Sequence, residues 1–185
     1  MTSTRSAALC CFLLGIAYTV DAVHAQHAGP YAGEHQRSIK ALSADETEQY
    51  LSGAGMGYAK PAELNRYPGP MHVLELADKI GLSAEQRALT ARLMQDHKAH
   101  ARELGAKVVA AERDLDELFR TGRANPRDLA SKVRAAAAAR GEYRLSHLET
   151  HRRMRALLSD EQVARYDALR GYAAGSVPGS HGVRH

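Results

Sequence analysis

Residues 118–129 read LFRTGRANPRDL, and this stretch decides the fold. Gly122 suits the left-handed position that ends a helix, and Asn125 followed by Pro126 is typical of the first residues of the next helix. Asp128 places a negative charge in the first turn of that second helix, where the helix dipole favours it. The stretch therefore predicts a tight turn between two helices that run antiparallel.

Matching apolar stripes lie on both sides of this turn. They extend over about residues 83–121 and 125–158, with the spacing of one buried helix face. Their members are Leu89, Leu93, His97, His100, Leu104, Val108, Ala111, Leu115 and Leu118 on the first helix, and Leu129, Val133, Ala136, Arg140, Tyr143, His147, His151, Met154 and Leu158 on the second. If the chain folds back at residues 123–124 and both helices rise equally per residue, facing residue numbers sum to about 247. That register pairs Leu93 with Met154, so we predict an all-α protein built on a long antiparallel helical hairpin.

Short helices flank the predicted hairpin. We expect one at about residues 70–80 before it and another at about 159–171 after it. Further upstream, a capping box at Ser43 starts a short helix. The glycine- and proline-rich residues 53–70 are expected to form an irregular arm.

Four histidines lie at one-turn spacings on the two long helices, His97 and His100 on the first and His147 and His151 on the second. In the predicted register His100 lies opposite His147, and His97 lies one residue from being opposite His151. Neutral imidazoles are good ligands for Zn, Ni, Co and Cu, so one hypothesis is a transition-metal site at this level of the hairpin. The other is that the histidines are polar spacers in the seam between the helices. Further ligand candidates are Asp96, Glu103, Glu149, Met94 and Met154.

The two ends of the chain are predicted to lie outside the folded domain. Residues 1–25 combine a short basic start, an apolar stretch and small residues at the end, which is typical of a secretory signal cleaved after Ala25. The apolar stretch is shorter than the roughly 20 residues that a membrane span needs, and we predict no span after signal cleavage. We expect an arm at 26–69, a helical domain at 70–172 and a disordered tail at 173–185.

The composition argues against several classes of protein. Cys10 and Cys11, the two cysteines of the chain, lie in the predicted signal, so the exported chain has no thiol nucleophile and no disulfide. The sequence has no G-x-S-x-G or H-E-x-x-H motif, and we predict that it is not an enzyme. Export also argues against nucleic acid as a partner, despite a formal net charge of +4.

The second long helix is rich in arginine. A solvated face is the simplest explanation of such a charge run. The functional alternative is a positive surface that holds unfolded, partly acidic proteins by charge and by the apolar stems of the side chains. The arginines assigned to this client-binding surface are Arg134, Arg140, Arg144 and Arg152.

The same five-residue pattern opens both ends of the hairpin, as Leu82-Ser-Ala-Glu-Gln86 and Leu158-Ser-Asp-Glu-Gln162. Each copy forms a capping box behind a leucine at N′, which is a physical reason for the pattern. The pair also resembles the two LTxxQ motifs of the Spy/CpxP family of periplasmic proteins, with serine in place of threonine. The residues that carry the resemblance are Leu82, Ser83, Gln86, Leu158, Ser159 and Gln162.

This resemblance implies a location and a range of functions. Members of the family include ATP-independent chaperones and proteins that sense or sequester heavy metals in the periplasm. We therefore expect a periplasmic homodimer of curved hairpins that binds heavy metal as a sensor or resistance protein. The alternative is a protein-refolding chaperone for unfolded periplasmic proteins, and a membrane signalling partner is a further expectation.

Overall fold

The computed structural model describes residues 29–173, so the predicted signal and residues 174–185 of the predicted tail lie outside the described residues. The described helices belong to one compact unit that begins at Gly33. Their bounds are α1 Ala44–Ser52, α2 Lys60–Glu63, α3 Pro70–Glu75, α4 Ala77–Ile80, α5 Ala84–Arg120, α6 Pro126–Ala156 and α7 Asp160–Arg170. No β-strand occurs among residues 29–173, which confirms the predicted all-α class. In the same part of the chain, every helix is too short or too polar to cross a membrane.

Helices α5 and α6 form the antiparallel hairpin that the sequence predicts. Gly122 adopts the left-handed conformation with φ 66°, and the Asn125 side chain accepts a hydrogen bond from the Asp128 backbone N–H at 3.0 Å. The cross-hairpin contacts Asp114–Lys132, His97–Thr150 and Gln86–Gln162 follow the predicted register to within one residue. The turn signals and the matching stripes were therefore sufficient to align the two helices.

The helix predicted at residues 70–80 is interrupted, which the sequence interpretation did not include. Leu76, with φ −100° and ψ 8°, separates α3 from α4. Each piece buries one large apolar side chain, Val73 from α3 and Ile80 from α4. Both side chains pack into a core at the base of the hairpin that also contains Leu93 and Met154.

The two motif glutamines join the ends of the hairpin. Gln86 Nε2 donates to Gln162 Oε1 and Gln162 Nε2 donates to Gln86 Oε1, each at 2.9 Å. Each amide group also donates to a backbone carbonyl oxygen, Gln86 to Leu157 at 2.8 Å and Gln162 to Gly81 at 3.0 Å. Each Oε1 accepts the backbone N–H of its capping serine at 3.0 Å. Both side-chain amides therefore use all their donors and acceptors, and the capping box accounts for only part of the motif.

The arm upstream of the hairpin packs closely against it. α1 begins with the predicted capping box at Ser43, and it approaches α5 so closely that a Cβ added at Gly105 would lie 1.9 Å from the Tyr50 carbonyl oxygen. The Tyr50 ring packs edge-on against Tyr143 of α6. The Tyr143 hydroxyl donates to the Ala54 carbonyl oxygen at 2.5 Å. The arm thus covers one side of both long helices.

Candidate functional site

A cavity of about 640 Å³ lies between the arm and the hairpin. Residues of the arm and of the start of α3, between positions 52 and 72, form one wall. Side chains of α5 and α6, with Arg170 and Tyr172 at the end of α7, form the other. Three of the four predicted histidines line it, namely His97, His147 and His151, together with His72 of α3. The candidate site is the part of this cavity around His97, His147 and His151, which we call the histidine wall.

His97 and His147 are in direct contact across the hairpin. Nε2 of His97 lies 3.1 Å from Nδ1 of His147, and the ring centroids are 4.5 Å apart at an angle of 79°. Nδ1 of His97 lies 2.9 Å from the hydroxyl oxygen of Thr150. That hydroxyl donates its one proton to the Ser146 carbonyl oxygen at 2.8 Å, so it accepts the proton of His97 Nδ1.

This chain of hydrogen bonds assigns the tautomer of both rings. His97 carries its proton on Nδ1, so its Nε2 accepts the Nδ1–H of His147. His147 then keeps a lone pair on Nε2, and this buried atom has no hydrogen-bond partner among residues 29–173. Burial, followed by repulsion from neighbouring histidines, lowers the pKa of both His97 and His147 to about 4. Both rings are therefore neutral at neutral pH.

His151 lies one helical turn beyond His147 on α6. Its Nδ1 lies 2.7 Å from the Tyr67 carbonyl oxygen, which can only accept, so Nδ1 carries the proton in the neutral ring. Nε2 of His151 then also holds a lone pair, and it faces Gly69, where an added Cβ would lie 3.0 Å from it. The histidine wall therefore offers two imidazole Nε2 atoms from one face of α6.

Glu63 of the arm is a largely enclosed carboxylate, with its side chain 14% exposed, that the sequence interpretation missed. Its Oε2 accepts the Gly69 backbone N–H at 3.0 Å and lies 3.6 Å from Nδ1 of His151. Its Oε1 accepts the Tyr166 hydroxyl proton and lies 3.8 Å from Nε of Arg170. Glu63 thus holds the arm, α6 and α7 together at the edge of the cavity. No periodicity pointed to it, because α2 is a single helical turn and too short to show a pattern.

The prediction that all four imidazoles meet at one level is wrong for His100. Its ring is exposed, and its Nδ1 lies 3.9 Å from a carboxylate oxygen of Glu103 on the same helix. The buried face of α5 passes through Ala101 instead, because the arm packs there, and a Cβ added at Gly53 would lie 3.2 Å from that of Ala101. In the described part of the chain, no three His, Cys, Asp or Glu side chains are arranged to hold a metal ion. Metal binding therefore stays a prediction.

The other ligand candidates lie away from the cavity, with one exception. Asp96, Glu103 and Glu149 each pair with a basic side chain of their own helix. Met154 is fully buried in the core at the base of the hairpin. Met94 lines the cavity, so its thioether is the one member of this group near the histidine wall.

The four arginines assigned to client binding have different environments. Arg140 pairs with the buried Glu112 at 2.9 Å, and Arg152 is held by a glutamate one turn earlier on α6. Arg140 and Arg152 therefore both have an ion-pair partner within the chain. Arg134 and Arg144 are exposed and have no ion-pair partner in the described range. Client binding stays a prediction, and these two residues are the ones available for it.

The buried histidine pair predicts a stability that is sensitive to acid. Because the folded-state pKa values of about 4 lie below the ordinary histidine pKa of 6.5, the unfolded chain binds protons that the folded chain does not bind between those pH values. Stability should therefore be full above about pH 6.5 and fall as the pH drops towards about 4. Urea denaturation at about pH 7, 6 and 5 measures this slope, and His147→Asn should reduce it. The exposed His100 provides the control: His100→Asn should keep the wild-type slope, and one common slope for all three proteins would contradict the assignment.

Comparison with known proteins gives one match. No curated protein and no solved structure matches the chain. The sequence model described as LTXXQ motif family protein matches residues 70–170, which extend from α3 to the end of α7 and include both glutamine motifs. Proteins of this family are periplasmic and generally non-enzymatic. Because the match covers more than half of the sequence, the chain belongs to the LTXXQ motif family, the family of Spy/CpxP-type periplasmic proteins.

Proposed function

We propose that this chain is a periplasmic metal-binding protein that holds a transition metal ion on Nε2 of His147 and Nε2 of His151. The observation that carries the proposal is the buried Nε2 of His147, which has a lone pair and no hydrogen-bond partner among residues 29–173. An unpartnered polar atom in a buried position costs free energy. A metal ion bound at that atom would remove the cost.

The surroundings of both rings favour this role. Metal-ligating histidines generally donate their other N–H to an acceptor, which fixes the tautomer and the ring orientation. Nδ1–H of His147 has such an acceptor in His97, and Nδ1–H of His151 has one in the Tyr67 carbonyl oxygen. His97 is thus a positioning residue for His147 rather than a ligand itself.

Protonation would interfere little with the His147 ligand at neutral pH. Metal binding requires neutral imidazole, and protons compete with the metal for the same lone pair. The pKa of His147 is lowered to about 4, first by burial, so its Nε2 is available for a metal well below neutral pH.

Two imidazoles leave room for further ligands. Met94 brings a thioether to the same cavity, and water can complete the coordination sphere. Imidazole suits Zn, Ni, Co and Cu, and a thioether shifts the preference towards Cu. A site with this donor set would serve heavy-metal sensing or resistance.

The test is a calorimetric titration of residues 26–185 with Zn, Ni, Co and Cu salts at neutral pH. We expect saturable binding by the wild-type protein, loss of binding in the double variant His147→Ala/His151→Ala, and a roughly 10- to 100-fold weaker affinity in His97→Asn, as found for residues that orient metal ligands. His100→Ala is the matched control and should bind like the wild type. Far-UV circular dichroism checks that each variant is folded.

Two results would contradict the metal proposal. One is that the wild type binds no ion, and the other is that the double variant, shown to be folded, binds as tightly as the wild type. A protein that binds no ion but prevents aggregation of a denatured client without ATP would support the chaperone alternative. In that case the face of α6 that carries the exposed Leu145 and Arg134 becomes the surface to examine.

A further inference from the structure

Three basic side chains without ion-pair partners lie around the cavity. Lys98 and Arg102 are one turn apart on α5, and Lys60 stands at the start of α2 in the arm. All three are exposed, and none has a carboxylate within ion-pair distance inside residues 29–173. Because exposed residues on two different elements line the same cavity, we place these cations at its opening.

The charge of the cavity is positive overall. Arg170 adds a fourth cation to the lining. The carboxylate of Glu63 is the one acidic group among the lining residues. It is engaged by the Tyr166 hydroxyl, the Gly69 N–H and Arg170. The four lining histidines add no charge of the opposite sign, since imidazole is neutral or positive. The opening therefore attracts an anionic group.

The interior of the cavity is mainly apolar. Ala54, Met56, Leu64, Pro70, Met71 and Met94 contribute to its lining. Leu64 and Met71, which line the cavity, are 52% and 48% exposed. The volume of about 640 Å³ falls within the roughly 300–1,000 Å³ typical of small-molecule sites. A hydrocarbon chain would cover the exposed apolar surface.

We propose that this cavity binds a single-chain amphiphile with an anionic head group, such as a fatty-acid carboxylate. The hydrocarbon chain lies along the apolar lining, and the head group is held by Lys98 and Arg102, with Lys60 on the opposite side. This ligand uses residues other than His147 and His151, so the inference goes beyond metal binding and does not depend on it. An extended peptide is a poorer occupant, because its backbone N–H and C=O groups would lack partners against an apolar wall.

The probe is sodium dodecanoate below its critical micelle concentration, titrated into the wild-type protein by calorimetry with EDTA present. Saturable binding with one molecule per chain is the expected result. Dodecyltrimethylammonium, which has the same chain and a cationic head group, should bind at least tenfold more weakly. Dodecanol, which has an uncharged head group, should bind with an affinity between those of the other two compounds. EDTA removes metal ions, so a failure to bind dodecanoate would not count against the metal site. A failure to bind metal in the earlier titration would likewise not count against the amphiphile site.

A matched pair of charge variants locates the head group. Lys98→Glu/Arg102→Glu should weaken dodecanoate binding at least tenfold. Lys107→Glu/Arg113→Glu makes the same change in net charge at two exposed positions of α5 that do not line the cavity, and it should bind like the wild type.

Three outcomes would overturn the proposal: no saturable binding of dodecanoate, equal binding of the cationic detergent, or equal loss in both charge variants. Displacement of dodecanoate by an acidic peptide at equal concentration would assign the cavity to peptide clients instead. The comparison of head groups uses the wild-type protein, so it decides the question even if a charge variant does not fold.

Discussion

Gly105→Ala should destabilise the protein by at least about 3 kcal/mol, at the upper end of the cost of overpacking a core. The added Cβ would lie 1.9 Å from the carbonyl oxygen and 2.6 Å from the carbonyl carbon of Tyr50. Both are backbone atoms of α1, so no side-chain rotation can relieve the clash, and α1 must move away from α5. That movement would disrupt the core formed by Tyr50, Leu104 and Tyr143. Urea denaturation at neutral pH measures the effect.

Gly141→Ala is the matched control for this substitution. Gly141 also lies inside a long helix, but a Cβ added there meets no atom within 4 Å. Alanine is a better helix former than glycine, so this variant should be up to about 1 kcal/mol more stable than the wild type. If both variants change stability in the same direction, the close approach of α1 to α5 is not the cause.

Gln86→Glu should cost about 3 kcal/mol, because it breaks a satisfied polar network and places a negative charge against oxygen atoms that now accept hydrogen bonds from Gln86. A glutamate at this position has no N–H to donate, so the backbone carbonyl oxygen of Leu157 loses the bond from Gln86, and Oε1 of Gln162 keeps only the Ser159 N–H. The carboxylate would also be repelled by those two oxygens. Gln162→Glu should have an effect of similar size, since Gln162 donates in the same way to Gly81 and Gln86.

A second capping box separates this effect from helix capping. Ser43 and Glu46 make the same reciprocal bonds at the start of α1, where glutamate serves the capping role that glutamine serves in α5. Glu46→Gln should therefore change stability by about 0.5 kcal/mol or less. A loss below about 1 kcal/mol for Gln86→Glu would show that the amide pair contributes little beyond the capping box.

The hairpin and its register could be read from the sequence because each depends on local and repeated signals. Gly122 and Asn125 mark the turn by their backbone preferences, and many stripe residues constrain the alignment together. Val133 and Leu89 belong to the predicted buried stripes but are exposed. Such exceptions do not change the register, because the other stripe residues still determine it. The two glutamine motifs also identified the family, which the match over residues 70–170 confirms.

The arrangement of the site could be predicted only in part. Helical spacing places a residue on a face, but His100 and Ala101 differ by only one position, and the packing of the arm on α5 decides which of them is buried. Glu63 and Tyr67 belong to a segment without periodicity, so their contacts with His151 left no pattern in the sequence. A cavity between an irregular arm and a helical hairpin depends on such non-local contacts.

The mutual hydrogen bonding of Gln86 and Gln162 has an evolutionary consequence. Each amide supplies the donor that the other needs, so a substitution at one position leaves the other with an unmet requirement. Selection then acts on the pair rather than on either residue. We therefore expect the two motifs, which lie at opposite ends of the α5–α6 hairpin sequence, to be retained together or lost together during evolution.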